Sequence, residues 1–436
     1  MGHDRYNIII IGAGLAGITA ALKCAQNNLS VLLIERGPYP GSKNMFGGVI
    51  YRKALEEIIP AFWKKNAPLE RTITREELWL VDTNSAVQMG FENKNYACPP
   101  YNKFTVIRSQ FDHWYAGQAE QAGARLKTST TVTDILFEKQ GLLNKKACGV
   151  QLQGGLKIYS DLVIIAEGII GNLVHKTGLK KEKDTASLAL YVKELLQLPA
   201  QKIEERFNLN PKEGLNIGIS GTPTSGAIGK GGLWTNQNSI SLVIGAYLNQ
   251  IISKNLNPNQ LLQNFKEHPL IKKRLTGAQT IEYLAHLIPK GSPGEMPRLY
   301  DHGLLVVGDA LTMVGGQGSA FALLTGKLAA ETAIKAAAKD KYDRSILVSY
   351  KNKFEELFIT KNNLTQKNKK KYFKNYSDSD LLMAKTANKV ADEYSKFRLE
   401  TNKKKWKRIT RELETVQPLP KSLADIIAGL KNWRLL

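Results

Sequence analysis

Short uncharged runs of aliphatic residues recur along this chain, at Ile8 to Ile11, Ser30 to Ile34, Leu162 to Ala166 and Gly303 to Val307. Polar and apolar residues do not alternate within them, as expected of strands covered on both faces in a parallel sheet. Each run ends on a glycine or an acid: Gly12, Glu35, Glu167-Gly168 and Gly308-Asp309 in turn. In an open α/β sheet, ligands sit at the carboxyl ends of the strands. Between the first two runs, Ala16, Ala20, Ala21 and Ala25 predict a helix with small side chains. A long helix with Ala and Leu at helical spacing begins near Ser319, just after the glycines Gly315, Gly316 and Gly318.

The intervening pattern predicts strands at Glu77 to Val81, Val87 to Phe91 and Thr105 to Ile107. A helix runs from Arg108 to Ala122, with Ser109 placed to cap it. Further strands fall at Ala124 to Leu136, Cys148 to Gln153 and Lys157 to Tyr159. From Thr185 to about Tyr283 the character changes. Strands at Ala186 to Lys193, Leu215 to Ser220 and Ile240 to Tyr247 surround a glycine-rich stretch holding Gly226, Gly229, Gly231 and Gly232. A helix follows from Pro258 to Phe265, with Asn257 as its cap. This reads as an antiparallel sheet with a helix, inserted into a nucleotide-binding domain. The expected organisation is a discontinuous cofactor domain (1–75, 105–184 and 285–345), a substrate or partner domain (76–104 and 185–284) and a helical basic region (346–436).

The chemistry concentrates in the stretch from Tyr6 to Arg36. Strand, Gly12-Ala13-Gly14-Leu15-Ala16-Gly17, helix, strand and then Glu35-Arg36 is the dinucleotide-binding fingerprint in its required setting. Gly12 makes the tight turn, Gly14 lets a pyrophosphate approach, and Gly17 lets the helix lie close to the sheet. The helix N-terminus offers N–H groups and partial positive charge to phosphates, while Glu35 can accept from ribose hydroxyls. The loop GPYPGSKNMFGGVIY after Arg36 is irregular, and its Lys43, Asn44, Gly47 and Gly48 suit a loop lying against a flat cofactor. Arg108 can reach phosphate or ribityl oxygens. Asp309 can hold a ribityl hydroxyl, and the helix opening near Gly318 can stabilise negative charge on a reduced isoalloxazine.

Composition narrows the class. Three dispersed cysteines, Cys24, Cys98 and Cys148, form no CxxC pair, so neither a disulfide framework nor a cluster site is expected. The six histidines show no metal-ligand spacing. The uncharged run from Ile8 to Leu22 is broken by glycines and too short to span a bilayer. A formal charge of +22 over 436 residues implies an anionic partner or a lysine-rich surface without one. Its densest parts are Lys367, Lys369, Lys370 and Lys371, and then Lys403, Lys404, Lys405, Trp406, Lys407 and Arg408. An acidic protein or an anionic membrane face would suit them. Near the end, only Leu423 to Leu430 is apolar enough to dock firmly.

GAGLAG with Glu35-Arg36, the acid and glycine at Glu167-Gly168, and GDA at Gly308 to Ala310 together resemble the glutathione-reductase-type FAD fold of the hydroxybenzoate-hydroxylase branch. The segments GSKNMFGGVIY, VIRSQFDHW, DLVIIAEGIIGNLV, VKELLQLP, IEERFNL and YLAHLIP look like FixC proteins, relatives of electron-transfer-flavoprotein:quinone oxidoreductase. The resemblance runs to about Lys339. It implies FAD held by Gly12, Gly14, Gly17, Glu35, Arg36, Arg108 and Asp309, with Lys43, Asn44, Gly47 and Gly48 lining the isoalloxazine side. It further implies an electron transfer flavoprotein as donor, quinone as acceptor and a separate small ferredoxin-like iron–sulfur protein. A cytoplasmic chain, peripheral at the membrane's inner face, is expected. Glu167 stands where relatives often carry Asp, and the turn after Asp309 looks shorter than in the family. A geranylgeranyl-reductase-type enzyme of prenyl lipids, a hydroxylase and a flavin-holding subunit without turnover remain open alternatives. Side-chain nucleophiles and bases do not stand out, as expected where a flavin does the chemistry.

Overall fold

The computed structural model describes residues 5–43, 48–140, 144–180, 188–290, 296–312, 318–359, 378–396, 398 and 401–432. The chain gathers into two compact units. Met1–Leu69, Asn102–Ser187 and Ile288–Leu364 make the first; Glu70–Tyr101, Leu188–Leu287 and Thr365–Leu436 make the second.

The four apolar runs are strands of the first unit. Its sheet has the order Tyr300–Asp301, Leu304–Val306, Lys157–Ile165, Arg5–Ile11, Val31–Ile34, Arg125–Lys127. All neighbours are parallel except the first pair. Burial on both faces explains the unbroken hydrophobicity: Ile8, Ile9 and Ile10, and Leu162 to Ile165, are fully buried. The runs at Lys157 to Tyr159 and Leu162 to Ala166 are one strand, because Asp161 pairs with Arg5 at the strand's edge and so does not interrupt it. Conversely, the stretch from Ala124 to Leu136 splits into Arg125–Lys127 and Val132–Gln140, separated by Ser129 in a left-handed conformation.

Small side chains let the helices approach closely. The helix Leu15–Ala25 packs against Gly318–Ala338, where a methyl group on Gly326 would stand 2.3 Å from the Ala16 carbonyl oxygen. Buried hydroxyls fasten the layers. Thr19 and Tyr115 share a hydrogen bond of 2.7 Å, and Tyr350, on the helix Arg344–Phe354, donates to the Val306 carbonyl at 2.8 Å. The helix after Thr105 begins at Arg108 itself, with extended Ile107 before it. Ser109 therefore lies inside the first turn and does not cap it, contrary to expectation.

The second unit is built on a sheet ordered Gln279–Pro289, Leu188–Gln197, Ser239–Tyr247, Gly229–Thr235, Glu213–Gly221, Thr72–Val81, with Ala86–Glu92 beside the last. Pairs from Leu188–Gln197 through Glu213–Gly221 are antiparallel, whereas Glu213–Gly221 and Thr72–Val81 run parallel. The strand Gly229–Thr235 falls where the sequence pattern shows only a glycine-rich connection. Its glycines serve packing: a methyl on Gly231 would meet the Phe265 ring at 3.2 Å, and one on Gly229 would meet the Gly245 carbonyl at 2.2 Å. Phe265 lies on the helix Pro258–Glu267, capped by Asn257, whose side chain accepts from the N–H groups of Asn259 and Gln260.

Among the described residues, three C-terminal helices belong to this second unit. Ser379–Ser395 lays Ala384 on Leu78 and Leu80, and its buried Asn388 donates to the Leu80 carbonyl at 2.8 Å. On Asn402–Glu414, Lys403, Lys404, Trp406 and Lys407 are exposed. Arg408 is not available to a partner, because it is ion-paired with the buried Glu393. Lys405 lies over the Tyr394 ring, 3.9 Å from its centroid. The helix Leu419–Asn432 docks differently from expectation. Leu423 and Ile427 are half exposed, and Ser422 and Asp425, three positions apart, are buried instead. Lys367, Lys369, Lys370 and Lys371 lie outside the described residues.

Gly326→Ala should destabilise the first unit by about 1–3 kcal/mol, the usual cost of forcing a methyl group into a closed contact. Urea unfolding of the FAD-free protein measures it; an unchanged midpoint would show that the two helices separate without cost.

Candidate functional site

The site forms where the first strand turns into the first helix. Gly12 takes φ +104°, and a methyl there would stand 2.4 Å from the Ala166 carbonyl oxygen. A methyl on Gly17 would stand 1.9 Å from the Gly12 carbonyl oxygen. Gly14 is different, since a methyl on it would meet nothing within 4 Å. It is the residue before the helix Leu15–Ala25, and no side chain caps that helix. An uncapped N-terminus facing open space fits a pyrophosphate. Ala13, Leu15 and Ala16 are buried and hold the turn in place.

Glu35, at the end of Val31–Ile34, is fixed by the backbone. Its Oε2 accepts from the Ala13 N–H at 2.9 Å and its Oε1 from the Gly37 N–H at 2.7 Å. Each oxygen keeps acceptor capacity for a ribose hydroxyl. Arg36 beside it is exposed and makes no hydrogen bond or ion pair among the described residues. Lys43 is likewise exposed, and the Gly48 carbonyl accepts from the Val106 N–H at 3.3 Å. Asn44 and Gly47 lie outside the described residues.

Arg108 is held by a partner that the sequence analysis overlooked. Fully buried Asp112 accepts from Arg108 Nε at 2.6 Å and from Nη2 at 2.7 Å. The four-residue spacing on one helix was the available signal. This guanidinium's charge reaches Asp309, in the turn Gly308–Leu311. Burial pushes the Asp309 carboxyl up to about 6, with Arg108 pulling the other way. Its carboxylate has no hydrogen-bond partner among the described residues. A half-buried acceptor left open in this way fits a ribityl hydroxyl. Gly308, at φ +63°, has its N–H tied to the Thr325 hydroxyl at 3.0 Å. Thr325, fully buried on the helix that Gly318 opens, was also overlooked.

Glu167 is occupied with a structural task. Its two oxygens accept from the N–H groups of Leu173 at 3.1 Å and Val174 at 2.9 Å, capping the short helix Asn172–Lys176. It shapes the turn in which Gly168 takes φ +71°.

The model of the FAD-dependent oxidoreductase family matches residues 7–197. Protein FixC of Azorhizobium caulinodans is 36% identical over 366 residues, covering 83% of each chain. Protein FixC of Azotobacter vinelandii is 37% identical over 363 residues, covering 82% of each. The chain belongs to the FixC family. Among solved structures, a geranylgeranyl bacteriochlorophyll reductase-like protein from Thermoplasma acidophilum superposes with a TM-score of 0.68 at 18% identity, over 100% of both chains. The flavin-dependent brominase Bmp2 gives 0.62 at 15% identity, over 98% of this chain and 93% of its own. These two share the fold.

This FixC protein is therefore an FAD-dependent oxidoreductase of electron transfer, with the glutathione-reductase-type fold expected from its motifs. The bound flavin supplies the redox chemistry. The chain's residues bind and orient it. We propose that Gly12, Gly14 and the helix N-terminus hold the pyrophosphate, Glu35 a ribose and Asp309 the ribityl chain. Glu35→Ala should raise the FAD dissociation constant by the equivalent of about 1–3 kcal/mol, the scale for hydrogen bonds to a charged group. An unchanged constant by fluorescence titration would remove Glu35 from the site.

Asp309 sets a pH dependence in the FAD-free protein. Its folded value of about 6 lies above the usual carboxylate value of 3.8. The folded state therefore favours the protonated carboxyl, and stability should fall as pH rises from about 4 to about 6, then level off. Asp309→Asn should flatten this window in thermal unfolding scans; an unaltered profile would place the titration elsewhere.

Proposed function

We propose that this FixC protein takes electrons from an electron transfer flavoprotein and passes them towards quinone, with a small ferredoxin-like iron–sulfur protein as a further partner. What carries the reading is the length of the FixC similarity. An aligned span of 366 residues exceeds either structural unit, so it reaches into the second unit as well as the cofactor domain. A likeness confined to FAD binding would stop at the first unit.

The exposed lysines of Asn402–Glu414 support a docking role for an acidic protein. Lys403, Lys404 and Lys407 make no ion pair among the described residues and surround Trp406, while Arg408 and Lys405 serve the unit's own packing. Such contacts speed encounter and weaken with salt. No helix among the described residues is long and apolar enough to cross a membrane. We place the protein in the cytoplasm, with peripheral contact at the membrane's inner face.

The test mixes the FAD-loaded protein with reduced electron transfer flavoprotein and follows flavin bleaching, then adds ferredoxin. Rapid bleaching and onward transfer are expected. Replacing Lys403, Lys404 and Lys407 by Gln should leave the flavin spectrum unchanged and slow transfer to ferredoxin several-fold at low salt, with the difference shrinking as salt rises. Failure of the flavoprotein to reduce the FAD would end the proposal. Salt-independent transfer in the variant would remove the basic helix from it.

A further inference from the structure

The sheet of the second unit has two unlike faces. One carries Ile217, Ile219, Leu233, Leu242 and Ile244 in an apolar core with Phe265. The other carries a polar row across four strands. Tyr191 pairs with Gly245, and Gly245 with Lys230. Ile219 pairs with Gly231, which sets Ser220 beside Lys230. Ser220 pairs with Leu80, whose side chain packs on Ala384 of the helix Ser379–Ser395. The row thus passes by the start of that helix. Asp380, in its first turn, accepts from the Gly229 N–H, and its charge acts on Lys230.

Two groups in this row have donors to spare. Ser220 is 3% exposed, and its Oγ has no hydrogen-bond partner among the described residues. Partly buried Lys230 makes no hydrogen bond or ion pair among the described residues. Burial lowers the Lys230 pKa while Asp380 opposes the shift, and burial raises that of Asp380. Charged or neutral, the lysine nitrogen retains N–H groups to donate. An unsatisfied buried polar group is costly, and few survive in native proteins without a reason. Tyr191 supplies a flat wall. A methyl on Gly245 would meet its ring at 2.4 Å, so the ring lies over that glycine, next to the lysine's strand.

We propose that Lys230 and Ser220 together hold a carbonyl oxygen of a neutral, planar ligand stacked beside Tyr191. Two adjacent donors suit one acceptor oxygen. Asp380 offsets the lysine charge, so a free anion gains little over a neutral carbonyl. The proposal rests on the quinone-directed reading above and deepens it, since a quinone is a flat ring bearing such carbonyls.

The experiment measures binding without turnover. Full-length, FAD-loaded protein is equilibrated by dialysis against a short-chain ubiquinone analogue. Lys230→Met should raise the dissociation constant about tenfold, the equivalent of one charge-assisted hydrogen bond, and Ser220→Ala by a few-fold. Because Lys230→Met leaves Asp380 buried without its counter-charge, the double variant Lys230→Met/Asp380→Asn is measured too. It should fold, as a pair of charges has been removed together, and lose binding equally. Reduction of the FAD by electron transfer flavoprotein, with no quinone present, should be unchanged in every variant. Unaltered quinone binding in both Ser220→Ala and the double variant would overturn the proposal, as would wild-type protein that is reduced by the flavoprotein yet binds no quinone. Binding with the expected losses in a protein that the flavoprotein cannot reduce would instead keep this site and discard the proposed donor.

Discussion

A methyl group at Gly17 would fall 1.9 Å from the Gly12 carbonyl oxygen, far inside van der Waals contact. The missing methyl lets the first helix lie against the first strand, and the rest of the cofactor unit is spaced from that approach. The same turn aims the Ala13 N–H at Glu35 and leaves the edge at Gly14 open. One face of the helix then receives Gly326 against the Ala16 carbonyl, and Gly308 comes within 3.0 Å of the Ala16 side chain, measured from where its own methyl would be. Two glycines from distant parts of the chain thus meet around one alanine. A larger residue at either of them would move a phosphate-facing turn, not only a helix.

Four acids stand close to this turn in sequence or in space, and their environments separate their roles. Glu35 is oriented by two backbone N–H groups and keeps lone pairs for a ligand. Glu167 spends both oxygens on a helix start. Asp112 accepts from Arg108 through both oxygens. Asp309 alone is left desolvated without a hydrogen bond among the described residues. Chemical type does not distinguish these carboxylates; what each accepts from does.

That difference also explains how far the sequence could be read. The fingerprint from Gly12 to Glu35 was legible because strand, turn and helix are contiguous and each glycine has a local duty. Arg108 was read as a cofactor-side cation, but its partner Asp112 was passed over although the helical spacing encoded the pair. The role of Glu167 depends on a helix only five residues long, Asn172–Lys176, too weak a pattern to announce itself. Gly229–Thr235 looked like a connection because glycine disfavours strands; its glycines answer to Phe265 and Gly245, which are distant in sequence. Arg408 looked like one more surface cation until Glu393, fifteen residues earlier on another helix, was seen beneath it.

The helix Ser379–Ser395 closes over Leu78 and Leu80, joined to that strand by Asn388 across 308 residues of chain. The strand it covers is itself paired in parallel with Glu213–Gly221. During synthesis on the ribosome, an early-made strand must therefore wait for two later segments before its apolar side chains are shielded. Contacts this distant in sequence form slowly and leave edges exposed meanwhile. The cofactor unit shares the delay, because Gly326 reaches Ala16 only once most of the chain exists. Chaperone capacity in the producing cell, more than the strength of any single contact, should then govern how much of this FixC protein arrives folded.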